Sequence, residues 1–228
     1  MLAACAALAA PAAAQADGRM RVIGHAVVEV VPDYVTVRIG VSNRAPTPTA
    51  ALDQNSAVAR KLIDFARQFG VDARDIQTGA VTLQPAYKTV RDTGGGTRQE
   101  PDGYAANNTV HARLADLTRL GTFMRQALDR GATNIGGVQF GVSNPDKPTE
   151  EARRKAVEDA VRQAQQLADA ARIKLGHVLE IAHPPRSEAR LADGVADLPL
   201  RAARAQSVPI EAGTLQIGAE VEITWELE

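Results

Sequence analysis

The chain has 228 residues, enough for one large domain or two small ones with a core of their own. Apolar residues make up 45% and charged residues 23%, which excludes the composition of a disordered chain. With 26 basic against 27 acidic residues no global positive field draws in nucleic acid, and 4% aromatics argue against a base- or sugar-stacking platform.

The chain opens with "MLAACAALAAPAAAQADG", a short apolar run of small residues. Ala14-Gln15-Ala16 fits a small-x-small cleavage site, so 1–16 is expected to be a signal peptide and 17–228 the mature, exported, periplasmic protein. The usual basic n-region is missing. "LAAC" resembles a lipoprotein box with Cys5 as the lipidated residue, but the apolar run continues beyond Cys5, where a lipoprotein turns polar. No other segment approaches the roughly 18 apolar residues that span a bilayer, so no transmembrane helix is expected in the mature chain. Cys5 is the sole cysteine, so the chain from Asp17 onward holds no disulfide, zinc–thiolate site or thiol nucleophile.

The first strand is predicted near Met20 to Val31 and the second near Tyr34 to Asn43. In "EVVPDYVTVRIGVS" Val31, Val35, Val37, Ile39 and Val41 share one parity, the period of half-buried strands. Pro32-Asp33 reads as the turn joining them. Thr47 is placed to cap a helix with Pro48 at its first position. Leu52, Ala59, Leu62, Ile63, Ala66 and Phe69 follow helical spacing, and Gly70 suits the stop. "DIQTGAVTLQPAYKTV" returns to strand. "RDTGGGTRQEPDG" has the make-up of a mobile loop, and "YAANNTVHARL" is another strand.

Asp116 can cap a second helix, with Leu117, Leu120, Met124 and Leu128 on one face and Gly131 at its end. "NIGGVQFGVSNP" is a strand stopped by proline. The longest helix is predicted from about Thr149 to Ile173, with Ala152, Ala156, Ala160, Ala164, Ala168 and Ala171 in one stripe beside Val157, Val161 and Leu167. Small side chains let a helix lie close to its neighbour. Gly176 is taken as its end, and "HVLEIA" as a strand. "HPPRSEARLADGVADLPLRAARAQS" lacks periodicity and reads as a long loop or partner-contact segment. "PIEAGTLQIGAEVEITWELE" closes the chain as a strand built on Val221, Ile223, Trp225 and Leu227.

This order predicts an α/β (α+β) fold: mixed or antiparallel sheets packed against helices. Two loosely repeated strand–helix–strand halves are expected within the one domain, at 20–100 and 101–228.

No catalytic, cofactor-binding or metal-binding residue stands out. Asp33 beside Pro32 is explained by turn chemistry, since no second carboxylate is placed to work with it. Of His25, His111, His177 and His183, only the last two are close, and six residues apart on a strand they would share a face. No metal-ligand spacing accompanies them. None of Ser42, Ser56, Ser143, Ser187 and Ser207 lies in a nucleophile elbow, and Ser42 and Ser143 are read as ending strands. Gly94 to Gly96 is not a phosphate cradle, and Gly136 to Gly141 reads as a bulge or close contact within a strand. Arg186, Arg190, Arg201 and Arg204 stand among Glu188, Asp193 and Asp197, a mixed-sign loop expected to face solvent or a partner.

Six stretches in order resemble the SIMPL-domain family, whose bacterial members are exported envelope proteins of the YggE and periplasmic immunogenic protein type. They are "VIGHAVVEVVPDYVTVRIGVS", "NSAVARKLIDFARQFGVDARDIQTGAVTLQPAY", "GYAANNTVHARL", "GATNIGGVQFGVSNP", "EEARRKAVEDAVRQAQQLADAARIKLGHVLEI" and "PIEAGTLQIGAEVEITWEL", covering nearly all of Arg21 to Leu227. The family often shows G-x-G in the first strand, where Gly24-His25-Ala26 keeps one glycine. That departure implies a shifted packing contact. The resemblance implies an α/β fold in two layers and carries over no catalytic residues. It also implies functions seen among relatives: oxidative-stress tolerance, a ring-like oligomer with a central channel and, in a eukaryotic namesake, signalling.

The expectation is therefore a non-enzymatic, homo-oligomeric envelope protein. It would act without cofactor, metal or nucleic acid. Direct thiol chemistry is disfavoured, since Met20 and Met124 are the only sulfur side chains after Asp17. The rival readings are a small-ligand binder and a hydrolase assembled from distant residues, with His111, Asp33 and Ser143 as conceivable members.

Overall fold

The computed structural model describes residues 18–92, 95–183 and 211–228. In chain order they form β1 (Arg19–Val30), β2 (Tyr34–Ala45), α1 (Pro48–Phe69), β3 (Ile76–Arg91), β4 (Thr97–Leu114), α2 (Leu120–Asp129), β5 (Asn134–Gly141), α3 (Asp146–Ala171), β6 (Leu175–Ala182) and β7 (Leu215–Leu227). The strands make two sheets, ordered β1-β7-β6 and β3-β4-β2-β5. The α/β class is as predicted, and the pairings are antiparallel. The chain divides into two compact units: the described residues within Met1–Val28, Asp146–Arg190 and Ile217–Glu228, and those within Glu29–Pro145 and Leu191–Gln216. Each is a sheet with helix on one face. The units interleave along the chain.

The four-stranded unit is built on the predicted alternation of β2. Val35, Val37, Ile39 and Val41 are all 1% exposed or less. Val31, of the same parity, lies beyond β1 and is 72% exposed. The buried set packs with Val110, Ala112 and Leu114 of β4 against Leu62, Phe65 and Ala66 of α1 and Leu120, Phe123 and Met124 of α2. Thr47 caps α1 by accepting the Ala50 N–H at 3.3 Å, and Gly70 ends it in the left-handed region at φ 104°. Asp116 caps a 3₁₀ turn, Leu117–Arg119, that leads into α2. Phe123 and Ala127 are buried there, while Leu128, expected on the inner face, is 46% exposed. The four-residue step from Met124 overshoots the buried stripe.

Two expectations about how the strands connect are corrected. Pro32-Asp33 does not close a hairpin, because β1 and β2 belong to different sheets. Most of "RDTGGGTRQEPDG" is strand and not loop: β3 runs to Arg91, β4 starts at Thr97, and the pairing extends from Arg91↔Thr97 to Ile76↔Ala112. β2 pairs with β4 only from Tyr104 onward, so the outer part of this hairpin is a two-stranded arm. A ribbon solvated on both faces needs no apolar alternation, and the backbone ladder alone defines it. The expected bulge in β5 is present, as the register with β2 shifts between Arg38 and Ile39 and leaves out Gly136.

In the three-stranded unit, Val221, Ile223 and Trp225 of β7 pack with Val22 of β1 on the alanine stripe of α3. Ala152, Ala156, Ala160, Ala164 and Ala168 are fully buried. Ala171, Val161 and Leu167 face solvent instead. Gly24 permits this contact: a Cβ there would meet backbone atoms of both Ala156 and Ala160. Beside it, α3 covers the free edge of β1. Asp159 accepts the His25 N–H at 3.0 Å, and Gln163 reaches the Ile23 carbonyl at 3.5 Å while donating to Asp159 at 2.7 Å. Two side chains one turn apart thus stand in for a neighbouring strand. Gly176 does not end α3, as it lies in β6. Arg172 supplies the stop instead, at φ 59°, while the Ile173 N–H reaches back to the Ala168 carbonyl at 3.1 Å.

Candidate functional site

The polar face of the four-stranded sheet brings together two residues 110 apart in sequence. The Asp33 carboxylate accepts both the backbone N–H of Ser143 at 2.8 Å and its hydroxyl at 3.0 Å. The Asp33 N–H in turn donates to the Gly141 carbonyl at 3.0 Å. Arg113 donates to the Ser143 hydroxyl at 2.6 Å and lies over the Tyr34 ring, 3.6 Å from its centroid. The arrangement ties the end of β5 to the start of β2. The Ser143 hydroxyl is held from both sides: its proton goes to the Asp33 carboxylate, and its oxygen accepts from the Arg113 guanidinium, which draws on the lone pairs an attack would use. His111 is two residues before Arg113 on the same face of β4, opposite Arg38. It has no hydrogen bond to Ser143, so the three conceivable hydrolase members do not form a nucleophile–base relay.

The other singled-out residues scatter. Ser42 lies within β2, paired with Asn107, and not at a strand end. Ser56 is on α1. His25 is exposed on β1 with Nδ1 3.6 Å from Glu220. His183 sits just past β6 and contacts the Glu220 carbonyl at 3.1 Å. A register shift between Val178 and Glu180 breaks the alternation that would have put His177 and His183 on one face. Among the described residues no three His, Cys, Asp or Glu side chains converge as a metal site, and no helix is long and apolar enough to cross a membrane. Cys5, the 1–16 segment, Gly94, Ser187, Ser207 and the arginines 186, 190, 201 and 204 with Glu188, Asp193 and Asp197 lie outside the described residues.

Sequence reasoning did not find the cleft between α1 and α2. Phe65 and Phe69 of α1 form a ring trio with Phe123 of α2, at centroid distances of 5.6, 5.2 and 5.1 Å. Arg119 lies over Phe69 at 4.0 Å and Arg130 over Phe65 at 4.2 Å. Gln68, Thr122 and Gln126 complete the lining of a cleft of about 360 Å³. A smaller cleft beyond Arg119 carries acidic residues, Asp72, Asp75 and Asp116. Asp116 is held below the usual carboxylate range, chiefly by the Thr118 hydroxyl and also by Arg119. The signal in sequence was faint: two phenylalanines four apart on one helix, and one arginine at each end of the next.

A family model described as SIMPL, "Protein of unknown function (DUF541)", matches residues 20–225. The chain is 29% identical to a 26 kDa periplasmic immunogenic protein of Brucella melitensis over 212 residues, covering 92% of this chain and 85% of that protein. It is 28% identical over 211 residues to the uncharacterized protein YggE of Escherichia coli K12, with coverage of 90% and 81%. It is 30% identical over 158 residues to YggE of Edwardsiella ictaluri, with coverage of 69% and 64%.

Proposed function

The chain belongs to the SIMPL family, and on that premise we propose that it is an exported, periplasmic, non-enzymatic protein that works as a homo-oligomer. Its service is to envelope integrity or tolerance of oxidative stress. The name of the periplasmic immunogenic protein of Brucella supports the compartment. The engagement of the Ser143 hydroxyl by Asp33 and Arg113 argues for the non-enzymatic part.

The observation that carries self-assembly is the exposed apolar face of β3, which runs from the sheet edge at Val81 and Leu83 into the two-stranded arm at Tyr87. Two-stranded ribbons are marginal in water unless something packs on them. β3 is the edge of its sheet, and it exposes Val81 at 52%, Leu83 at 42% and Tyr87 at 57% on one parity of the strand. Its backbone edge is guarded by two register shifts, Pro85 and Lys88. The contact therefore uses this side-chain face, with a second copy covering it. Burying three such side chains in each of two copies is worth several kcal/mol before association costs, at roughly 1.5–3 kcal/mol per large apolar residue.

Light scattering behind a sizing column, run on the full chain over a range of concentrations, tests this. A discrete assembly of more than one chain is expected. A strict monomer at every concentration overturns the reading.

A further inference from the structure

The cleft between α1 and α2 has the chemistry of an anion site. Its lining contains two arginines, two glutamines and a threonine, and no carboxylate. Neither Arg119 nor Arg130 makes a close ion pair with a carboxylate among the described residues, although the Arg119 charge is felt by Asp116 in the neighbouring cleft, and Arg130 donates to the Gln126 carbonyl at 3.0 Å. Each guanidinium carbon lies over a phenylalanine ring, Arg119 over Phe69 and Arg130 over Phe65. A guanidinium placed over a ring is confined by it and keeps further N–H groups that can grip a carboxylate or phosphate. Phe65 is 3% exposed and packed on Phe123, so the platform under Arg130 is part of the core. The acidic cleft beyond Arg119 makes a charge boundary, with Asp116 committed to Thr118. A volume of about 360 Å³ suits a small molecule.

We propose that this cleft binds a small molecule bearing two oxyanion groups, one seated on Arg119 and one on Arg130, with the Gln68 and Gln126 amides and the Thr122 hydroxyl as neutral donors. The shared chemistry is a pair of phosphates or carboxylates on one compact ligand. The cleft is open to water, so binding is in the micromolar to millimolar range. The site is independent of self-assembly, and either reading can fail alone.

The test is titration of the full, isotope-labelled chain with pyrophosphate and, separately, with citrate at low ionic strength, read by amide chemical shifts. Inorganic phosphate is the single-oxyanion comparison. Saturable shifts confined to α1 and α2 are expected for at least one of the two probes, and which one tells phosphate from carboxylate. Phosphate alone should bind at least tenfold more weakly. Arg119→Gln and Arg130→Gln should each weaken binding tenfold or more, and Arg130→Lys should not restore it, because the fork is lost. Gln68→Glu keeps both stacks and places a carboxylate in the exposed rim, so it should abolish binding in a chain that folds normally. Absence of saturation with both probes, shifts centred elsewhere, or unchanged affinity in Gln68→Glu would overturn the proposal.

Discussion

Gly24 on β1 and Ala156 on α3 meet so closely that a Cβ at position 24 would stand 2.0 Å from the Ala156 carbonyl oxygen. The same carbon would lie 2.5 Å from the Ala160 N–H nitrogen and 2.8 Å from the Ala160 methyl. Two of these three neighbours are helix backbone, which cannot swing aside as a flexible side chain does. The alanine stripe and the glycine are therefore two halves of one contact: small residues every four positions on the helix, and no side chain on the strand.

Gly24→Ala is expected to cost about 3 kcal/mol or more, the upper range for overpacking. It should lower the urea midpoint of the full chain strongly while its far-ultraviolet spectrum before the transition stays near native. A loss below about 1 kcal/mol would mean that helix and strand are not in backbone contact.

Asp159 should make the same contact acid-sensitive. Its pKa lies below the ordinary aspartate value of 3.8, first because the carboxylate accepts the His25 N–H, with Gln163 and Arg162 adding to this. A group depressed on folding stabilises the folded state in full above its unfolded value. That contribution is lost as pH falls through the lowered folded value. Asp159→Asn keeps the shape and removes the charge. The melting-temperature gap between wild type and variant should be widest above the ordinary aspartate value and close as the pH falls through the lowered folded value. A gap that is constant with pH would show that the carboxylate's charge plays no part.

Arg172 ends α3 at φ 59°, a position where a non-glycine residue pays a steric cost. That cost is about 1–2 kcal/mol, against up to about 1 kcal/mol of backbone entropy for glycine. Arg172 is exposed and has no ion pair among the described residues. Arg172→Gly should therefore raise the urea midpoint, by an amount near 0.5–1 kcal/mol. A fall would mean that the side chain contributes more than the backbone strain removes.

How much of this was legible in the sequence differs by element. The β2 alternation, the Thr47–Pro48 start and Gly70 stop of α1, and the Ala152-to-Ala168 stripe were readable because each obeys a local rule. The helix stop at Arg172 was not, since glycine is the residue that rule looks for and Gly176 stood close by. Asn55 was also invisible. It is fully buried on α1, with its amide donating to the Val41 and Ala106 carbonyls at 3.0 and 2.9 Å. A polar residue on a helix reads as solvent-facing until the strands it serves are known. The α1/α2 cleft depends on Phe65 and Phe69 of α1 and on the arginines that flank α2, and no spacing rule links them. Asp33 and Ser143 were each noticed, but their pairing is a product of topology.

Leu83 and Tyr87 provide the last test, because their exposure separates stability from assembly. Side chains 42% and 57% exposed on an edge strand contribute little to the folded monomer. If a second copy covers them, they lose that exposure only in the assembly, and a charge there must be desolvated for the copies to meet. The pair of substitutions Leu83→Lys and Tyr87→Lys should leave the melting temperature of dilute protein within a few degrees of wild type. It should also raise the dissociation constant of the assembly at least tenfold, read as a shift of mass toward the monomer. Because lysine on an edge strand is a common guard against strand pairing, the variant tests the apolar face and the edge together. The hairpin itself should persist, since its ladder from Arg91↔Thr97 inward is made by backbone and not by these side chains. An assembly that keeps its mass and midpoint in this variant would move the contact away from this face of β3.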